Sequence, residues 1–215
     1  MPAPTDRLRQ LYLFTGVFPV GLFVLGHVVV QLRTLAGPAA YERVEIAIRA
    51  HRGWPPLEAI VLVSLAFHIA CGVRFFLASL GRPRGRTKAP PIALLRRAAS
   101  GIALAFVAWH LFAVRIDRAH AGLAPAATHA SLAASLSSTV AGVPLVALAY
   151  LLGTAACAFH FGSTLAAFVA SSGVASSPRG RRAITIACAA FGAAIFVASA
   201  DATVHLATGA RHFWR

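Results

Sequence analysis

The stretch GIALAFVAWHLFAVR, residues 101–115, decides the fold of this chain. Seventeen uncharged residues lie between Arg97 and Arg115, which is long enough for one membrane-spanning helix. His110 lies near the far end of this apolar run. An imidazole inside hydrocarbon is costly unless a partner satisfies it, and ionisable side chains within membrane helices mark functional sites by default. His110 is therefore a candidate functional residue.

The pattern of an apolar segment with one interior histidine occurs three more times, at His27, His68 and His160. A fifth apolar segment follows without a central histidine. These segments predict an all-α integral membrane bundle in which Pro19 bends the first helix. The five predicted transmembrane helices of this single domain, residues 1–215, cover about residues 8–33, 57–80, 93–117, 142–172 and 183–207.

Composition also indicates that lipid is the solvent of this chain. The 215 residues are 58% hydrophobic and their mean hydropathy is +0.73, which is more apolar surface than a soluble domain of this size could bury. The formal net charge is +14, but the 20 basic residues cluster between the apolar runs, as in membrane loops. We therefore expect membrane lipid, and no nucleic acid, as a partner. The first apolar run is too long for the h-region of a signal peptide.

The three cysteines lie inside apolar segments and form no C-x-x-C pair. This arrangement excludes iron–sulfur ligation and covalent haem attachment by this chain. Cys71, Cys157 and Cys188 are expected to behave as small hydrophobic residues.

The distribution of basic residues predicts how the chain is oriented in the membrane. Eleven basic residues fall in the N-terminal segment, residues 81–97 and residues 175–182, and eight fall on the opposite side. Because cytoplasmic loops are enriched in Lys and Arg, we expect the N-terminus in the cytoplasm. Residues 33–56 are expected to contain a short interfacial helix, and residues 119–139 a polar loop with one short surface helix. The histidines expected to be solvated are His51, His120, His129 and His212.

His27 and His110 lie at similar depths near the outer surface. His27 precedes Arg33 by six residues, and His110 precedes Arg115 by five. At the helical rise per residue, both lie roughly 8–9 Å from the outer ends of their helices. Their two helices run in the same direction, so they would occupy diagonal positions in an up-down bundle.

His68 and His160 share a second, deeper level. His68 lies twelve residues before Leu80, and His160 lies thirteen before Gly173. Both are therefore roughly 18–20 Å from the inner ends of their helices. The depths predict two pairs, one outer pair of His27 with His110 and one inner pair of His68 with His160.

Two such pairs predict two haem b groups with the four histidines as axial ligands of iron. Imidazole on both faces of a haem leaves no open position, which favours electron transfer over oxygen chemistry. A lone intramembrane histidine is more often hydrogen-bonded to a neighbouring helix, and the matched depths favour haem over that interpretation. The candidate cations for the haem propionates are Arg33, Arg74, Arg115 and Arg118.

Four stretches carry a resemblance to a known family. They are RLRQLYLFTGVFPVGLFVLGHVVVQ (residues 7–31), FHIACGV (67–73), GIALAFVAWHLFAVRI (101–116) and FHFGSTL (159–165). They resemble the single-chain, five-helix dihaem cytochrome b anchor of succinate dehydrogenases and fumarate reductases in menaquinone-using bacteria. The first and third stretches are specific because they preserve a long pattern around a histidine, whereas the other two are short.

The resemblance implies an electron-transfer subunit that crosses the bacterial cytoplasmic membrane several times. It implies a proximal haem on His68 and His160, near the cytoplasm, and a distal haem on His27 and His110, near the outside. Electrons would pass between a cytoplasmic iron–sulfur subunit and menaquinone. FAD, the iron–sulfur clusters and the dicarboxylate chemistry would belong to partner chains, a flavoprotein and an iron–sulfur protein.

Two other functions fit the same sequence. A dihaem subunit of another respiratory enzyme, of the nitrate reductase or hydrogenase type, would share the haem chemistry but have different partners. A haem-free membrane anchor or small transporter would use the histidines for structure or for handling protons.

Protonatable residues near the outer helix ends are candidates for a quinone site. Asp201 and His205 are four residues apart and share one helix face. Asp201 follows Arg182 by nineteen residues, or roughly 28 Å along the fifth helix, which brings it to the outer level. Glu58 begins the second helix at that level, and Tyr41 lies in the preceding connection. The alternative is that Asp201 and His205 only satisfy each other.

Overall fold

The computed structural model describes residues 4–80, 91–117, 128–174 and 177–210. Within these ranges the only β-type pairing is an isolated antiparallel bridge between Val140 and Val143. The α-helices in chain order are α1 (Pro4–Val17), α2 (Pro19–Gln31), α3 (Pro38–Ala50), α4 (Trp54–Leu80), α5 (Pro91–Leu111), α6 (Thr128–Ser137), α7 (Leu145–Ser171) and α8 (Pro178–Thr208).

Five helical segments are long and apolar enough to cross a membrane, which confirms the predicted five-helix fold. Most of the surface of each segment faces outward, as expected of helices in contact with lipid. The chain is therefore a multi-pass membrane protein. The five spans are Arg7–Ala36, Trp54–Ala78, Pro91–Val114, Leu145–Ser171 and Pro178–Thr208.

The five spans begin one to five residues away from the predicted positions, and two of these differences have a visible cause. Helix α7 begins at Leu145 rather than near residue 142, because Gly142 has a φ of 79° and cannot continue a right-handed helix. Helix α8 begins at Pro178 rather than near residue 183. The Oγ of Ser177 accepts a hydrogen bond from the N–H of Gly180, and this cap starts the helix early.

The first span is interrupted at Phe18, beside the predicted bend at Pro19. Proline has no N–H, so it cannot donate to the carbonyl of Thr15, four residues earlier. The two halves of the span remain hydrogen-bonded to each other. The N–H of Phe18 donates to the carbonyl of Phe14 at 2.9 Å, and the N–H of Leu22 donates to the carbonyl of Phe18 at 3.0 Å.

A short helix, α3, lies between the first two spans, where the sequence predicts one. Tyr41 and Glu45 are buried on one face, whereas Arg43 and Ile46 are exposed on another. This division is typical of a helix that lies along a surface.

Helix α6 confirms that a short helix follows the third span, but it is packed rather than solvated. Leu132 and Leu136 are buried, and they pack against Ala147 and Leu206. The prediction that His129 is solvated is wrong, because its Nε2 is buried without a hydrogen-bond partner among the described residues. The two leucines lie three and seven residues after His129, a helical spacing that turns this side inward.

Helices α7 and α8 approach each other closely at two glycines. A Cβ at Gly162 would lie 2.7 Å from the carbonyl oxygen of Cys188, and a Cβ at Gly192 would lie 2.8 Å from that of Ala158. Small residues permit this approach in membranes, where packing rather than the hydrophobic effect drives helix association. Because α7 also contacts α1 and α5, this packing fixes the helix that carries His160.

We expect Gly162→Ala to destabilise the protein by about 1–3 kcal/mol, because the added methyl overlaps the backbone of α8. Gly101→Ala is the matched control, since a Cβ at that exposed position on α5 meets no atom within 4 Å. Thermal unfolding in detergent measures both variants. A lower melting temperature for Gly162→Ala alone is expected, and equal melting temperatures would contradict the close packing.

Candidate functional site

Two pairs of histidines meet inside the bundle, in the pairing that depth predicts. His68 on α4 faces His160 on α7, with 6.0 Å between ring centroids and 78° between ring planes. His27 on α2 faces His110 on α5, with 5.9 Å between centroids and 70° between planes. Each pair joins two different spans, so the pairs link four of the five helices.

The spacing within each pair suits a metal ion held between two imidazoles. Two metal–nitrogen bonds of about 2 Å on opposite sides of an ion place the ring centroids about 6 Å apart. Among the described residues, no cluster of three or more His, Cys, Asp or Glu side chains could hold a metal ion. Two facing histidines are the protein ligand set of a metal whose remaining ligands come from its own macrocycle, as in haem.

His68 is fixed by the first span. Its Nδ1 lies 3.0 Å from the backbone carbonyl oxygen of Tyr12, and a carbonyl only accepts, so Nδ1 carries the proton. The Tyr12 ring stacks on the imidazole at a centroid distance of 4.3 Å. A Cβ at Gly16 would lie 2.5 Å from Cε1 of His68, so only glycine permits this close approach. The Nε2 of His68 is left unprotonated, as an iron ligand requires.

His160 is fixed by a hydroxyl on the neighbouring helix. Its Nδ1 lies 3.0 Å from Oγ of Ser100. That hydroxyl donates its single proton to the carbonyl of Arg96 at 2.8 Å, so it accepts from His160. The Nε2 of His160 is therefore also unprotonated.

The outer pair is surrounded by aromatic rings. The Nδ1 of His110 lies 3.1 Å from the Tyr150 hydroxyl, and Phe106 stacks on the same imidazole at 5.6 Å. Phe106 occupies a notch at Gly153, where any Cβ would overlap the ring. On α2, Phe23 stacks on His27 at 5.8 Å. These contacts orient the imidazoles from both sides of the bundle.

A cavity of about 780 Å³ opens beside the inner pair, between α1, α4, α5 and α7. His160 lines it together with Arg9, Arg74 and Arg96. None of these three arginines pairs with a carboxylate in the part of the chain that the structure describes. A mostly apolar cavity with three unpaired cations suits a flat apolar molecule that carries carboxylate groups. The residues present therefore fit a haem.

Of the two predicted propionate cations whose side chains the structure describes, Arg74 and Arg33, one lies at this cavity. Arg74 lines it, whereas Arg33 is exposed in the 3-10 turn after α2. Arg115 lies in a π-helical turn that follows α5, but its side chain is not described, and Arg118 lies outside the described residues. The sequence does not predict Arg9 and Arg96 at this cavity, because the position of a helix-end cation does not show which way its side chain points.

At the end of the bundle that is predicted to face outward, Asp201 and His205 do not form the contact that the alternative interpretation requires. Asp201 on α8 is only 1% exposed, and neither of its carboxylate oxygens has a hydrogen-bond partner among the described residues. The Nδ1 of His205 instead donates to the backbone carbonyl of Ala210 at 3.1 Å. The alternative in which these two side chains only satisfy each other is therefore wrong.

Tyr41 lies at the same end, beside His129, which the sequence predicts to be solvated. Its ring is 3% exposed and lies 5.8 Å from the ring of His129. Burial lowers the pKa of His129, Glu42 opposes this shift, and His205 adds to it. The Oε2 of Glu45 is also buried without a partner among the described residues.

The other two outer residues lie closer to solvent. Glu58 is half-buried near the start of α4. His51 is exposed, as predicted, and its Nδ1 accepts from the N–H of Gly53 at 3.1 Å. His120 and His212 lie outside the described residues.

Fold and site together define a class of protein: a five-span helical membrane protein with histidine pairs at two depths and a cationic cavity beside the inner pair. The chain is 26% identical over 179 residues to the succinate dehydrogenase cytochrome b558 subunit of Bacillus subtilis (strain 168), covering 82% of this chain and 85% of the relative. This similarity confirms the family resemblance predicted from the helix sequences. No protein-family model matches the chain, and no solved structure matches it significantly.

Proposed function

We propose that this chain is the membrane-anchoring dihaem cytochrome b subunit of a succinate:quinone oxidoreductase in the bacterial cytoplasmic membrane. It would connect a cytoplasmic iron–sulfur subunit with membrane menaquinone. The observation that carries this proposal is the presence of two histidine pairs, each with about 6 Å between ring centroids. The similarity to a succinate dehydrogenase cytochrome subunit supports the choice of enzyme among respiratory complexes.

The inner site would be built by His68 and His160 as axial ligands and by three arginines at its rim. Both histidines have Nδ1 engaged by the protein, which leaves Nε2 for iron. Arg9, Arg74 and Arg96 would hold the propionates by charge-assisted hydrogen bonds. A haem bound there supplies a one-electron carrier whose filled axial positions exclude oxygen chemistry.

The outer site would use His27 and His110 in the same way. Their imidazoles are oriented by Phe23, Phe106 and the Tyr150 hydroxyl. Of the predicted cations, Arg33, Arg115 and Arg118 follow these two helices and remain the candidates for the outer propionates.

The decisive experiment is a reduced-minus-oxidised spectrum with haem quantification. We expect about two b-type haems per chain in the unaltered protein and about one in His68→Ala or His160→Ala, with loss of the inner signal because one axial ligand is gone. His51→Ala is the control, since that histidine is exposed and belongs to neither pair. Two unaltered haems in both inner variants would contradict the assignment, and a colourless protein would favour the haem-free anchor or transporter.

The cytoplasmic face would dock the iron–sulfur subunit. Residues 81–97 and the start of α8 carry clustered arginines, and Arg179 and Arg182 are exposed. A cationic surface favours an acidic partner and speeds its association. The alternative is that these charges only fix the orientation and bind anionic lipid.

Affinity purification of the tagged chain from its native membrane tests the partners. We expect a flavoprotein with FAD and an iron–sulfur protein to co-purify. The pair Arg82→Gln and Arg84→Gln should weaken this assembly most at low salt, because high salt already screens the attraction that these charges supply. Arg43→Gln with Arg52→Gln removes the same charge from the opposite side and is the control. Co-purified nitrate reductase or hydrogenase subunits would overturn the choice of enzyme.

Quinone chemistry would take place at the outer end, near His27 and His110. A quinone that takes up two electrons also takes up two protons, so its site needs protonatable side chains. Asp201 is the best candidate because both of its buried carboxylate oxygens lack partners among the described residues. Tyr41, His205 and Glu58 are the further candidates. Electrons would then cross most of the bilayer, a movement worth about 2.3 kcal/mol per charge per 100 mV.

We expect Asp201→Asn to lower quinone turnover by roughly 10²-fold, because an amide cannot exchange a proton with the quinone. Glu58→Gln tests the second carboxylate in the same assay. Succinate oxidation with an artificial acceptor should be unchanged, since it bypasses the membrane subunit. Asp201→Glu should restore turnover, and full quinone turnover in both amide variants would exclude these two residues.

A further inference from the structure

Helices α5 and α7 are joined by two hydrogen bonds, each between a hydroxyl and the Nδ1 of a histidine. The Ser100 hydroxyl on α5 meets Nδ1 of His160 on α7 at 3.0 Å. In return, the Tyr150 hydroxyl on α7 meets Nδ1 of His110 on α5 at 3.1 Å. Each helix therefore supplies one hydroxyl and one histidine, and each hydrogen bond reaches a different histidine pair.

The register of the two helices makes this arrangement reciprocal. Ser100 and His110 are ten residues apart on α5, as are Tyr150 and His160 on α7. Ten residues span about 15 Å of helix, so the antiparallel helices bring both hydroxyls to the correct level at once. Between the two hydrogen bonds, Phe106 packs into the notch at Gly153 and keeps the helices in register.

The inner hydrogen bond has a defined direction. Ser100 donates to the carbonyl of Arg96 at 2.8 Å, so it accepts the Nδ1 proton of His160. Donation to a carbonyl also makes the oxygen a better acceptor, because linked hydrogen bonds polarise one another. The other inner histidine, His68, is held by the backbone carbonyl of Tyr12, which no side-chain replacement removes. Ser100 is therefore the adjustable contact of the inner pair.

The outer hydroxyl is held in place by packing. The Tyr150 ring meets Phe106 and Trp109 edge-on, each at a centroid distance of 5.3 Å. It also meets the His110 ring at 5.6 Å. Removing only the hydroxyl would leave this aromatic packing unchanged, so its contribution to His110 can be measured separately.

We propose that Ser100 and Tyr150 are positioning residues that set the reduction potentials of the inner and outer haem separately. The Ser100 hydroxyl accepts from Nδ1–H of His160, which fixes the tautomer and raises the basicity of Nε2. If Nε2 of His110 binds iron, its Nδ1 must carry the proton, and the Tyr150 hydroxyl then accepts in the same way. A more basic axial ligand stabilises ferric iron and lowers the potential. The two hydroxyls belong to different pairs, so each adjusts one haem. This inference rests on the proposed dihaem function.

The test is a potentiometric titration of the whole complex that resolves the two haems by their absorption bands. Ser100→Ala should raise the potential of the inner haem alone, and Tyr150→Phe should raise that of the outer haem alone. The low-spin electron paramagnetic resonance signal of the same haem should shift with each change, because the imidazole loses its fixed orientation. Ser100→Thr keeps the hydroxyl and should keep the unaltered potential.

Ser199→Ala is the matched control. The Ser199 hydroxyl also donates to a carbonyl four residues earlier, that of Ile195 at 2.9 Å, but it contacts no histidine in the described part of the chain. Unchanged potentials in both Ser100→Ala and Tyr150→Phe, or a shift of both haems in each, would overturn the inference. If Ser100→Ala loses the inner haem, the inner potentials of Ser100→Thr and Ser100→Cys are compared instead. The thiol of Ser100→Cys is the weaker acceptor, so this variant should have the higher potential. An equal or lower potential would overturn the inference. A chain without two haem signals would instead overturn the proposed function.

Discussion

The two ring nitrogens of a buried imidazole impose the constraint on which the rest of this structure depends. Hydrocarbon offers no water, so each nitrogen must find a partner within the protein or on a ligand. At His68, His110 and His160, Nδ1 is taken by a carbonyl or a hydroxyl from another helix. Those partners fix the positions of α1, α5 and α7 relative to the histidines, and they engage Nδ1 rather than Nε2.

Small residues make this arrangement of large rings possible. Gly16 lets the first span approach the His68 ring, and Gly153 admits Phe106 between α5 and α7. A methyl group at either position would push the backbone away from a ring. Tight contact at Gly162 and Gly192 then anchors α7 to α8. The bundle is therefore held by backbone approach at a few glycines, since lipid gives apolar helices little reason to associate.

The sequence predicts the spans and the histidine pairing because hydropathy and depth can both be read by counting residues along each helix. Uncharged runs mark the spans, and the count of residues to each helix end gives the level. Ser100 and Tyr150 could not be found this way, because their roles depend on the rotation of α5 against α7. The positions of Arg9 and Arg96 at the cavity could not be predicted, because counting charges shows on which side of the membrane a basic residue lies but not where its side chain points. Burial of α6 was missed because Leu132 and Leu136 lie in a weakly apolar stretch.

The interruption at Phe18 separates the first span into two halves that contact different histidine pairs. The half before Pro19 supplies the Tyr12 carbonyl and the Gly16 surface to the inner histidine, whereas the half after it carries His27 of the outer pair. Because Pro19 has no N–H, the carbonyl of Thr15 lacks its helical hydrogen bond, and the helix bends more easily here than a continuous helix would. A tilt imposed on one half by its ligand can be absorbed there. The two histidine pairs therefore share the first span, but a different half of it contributes to each pair.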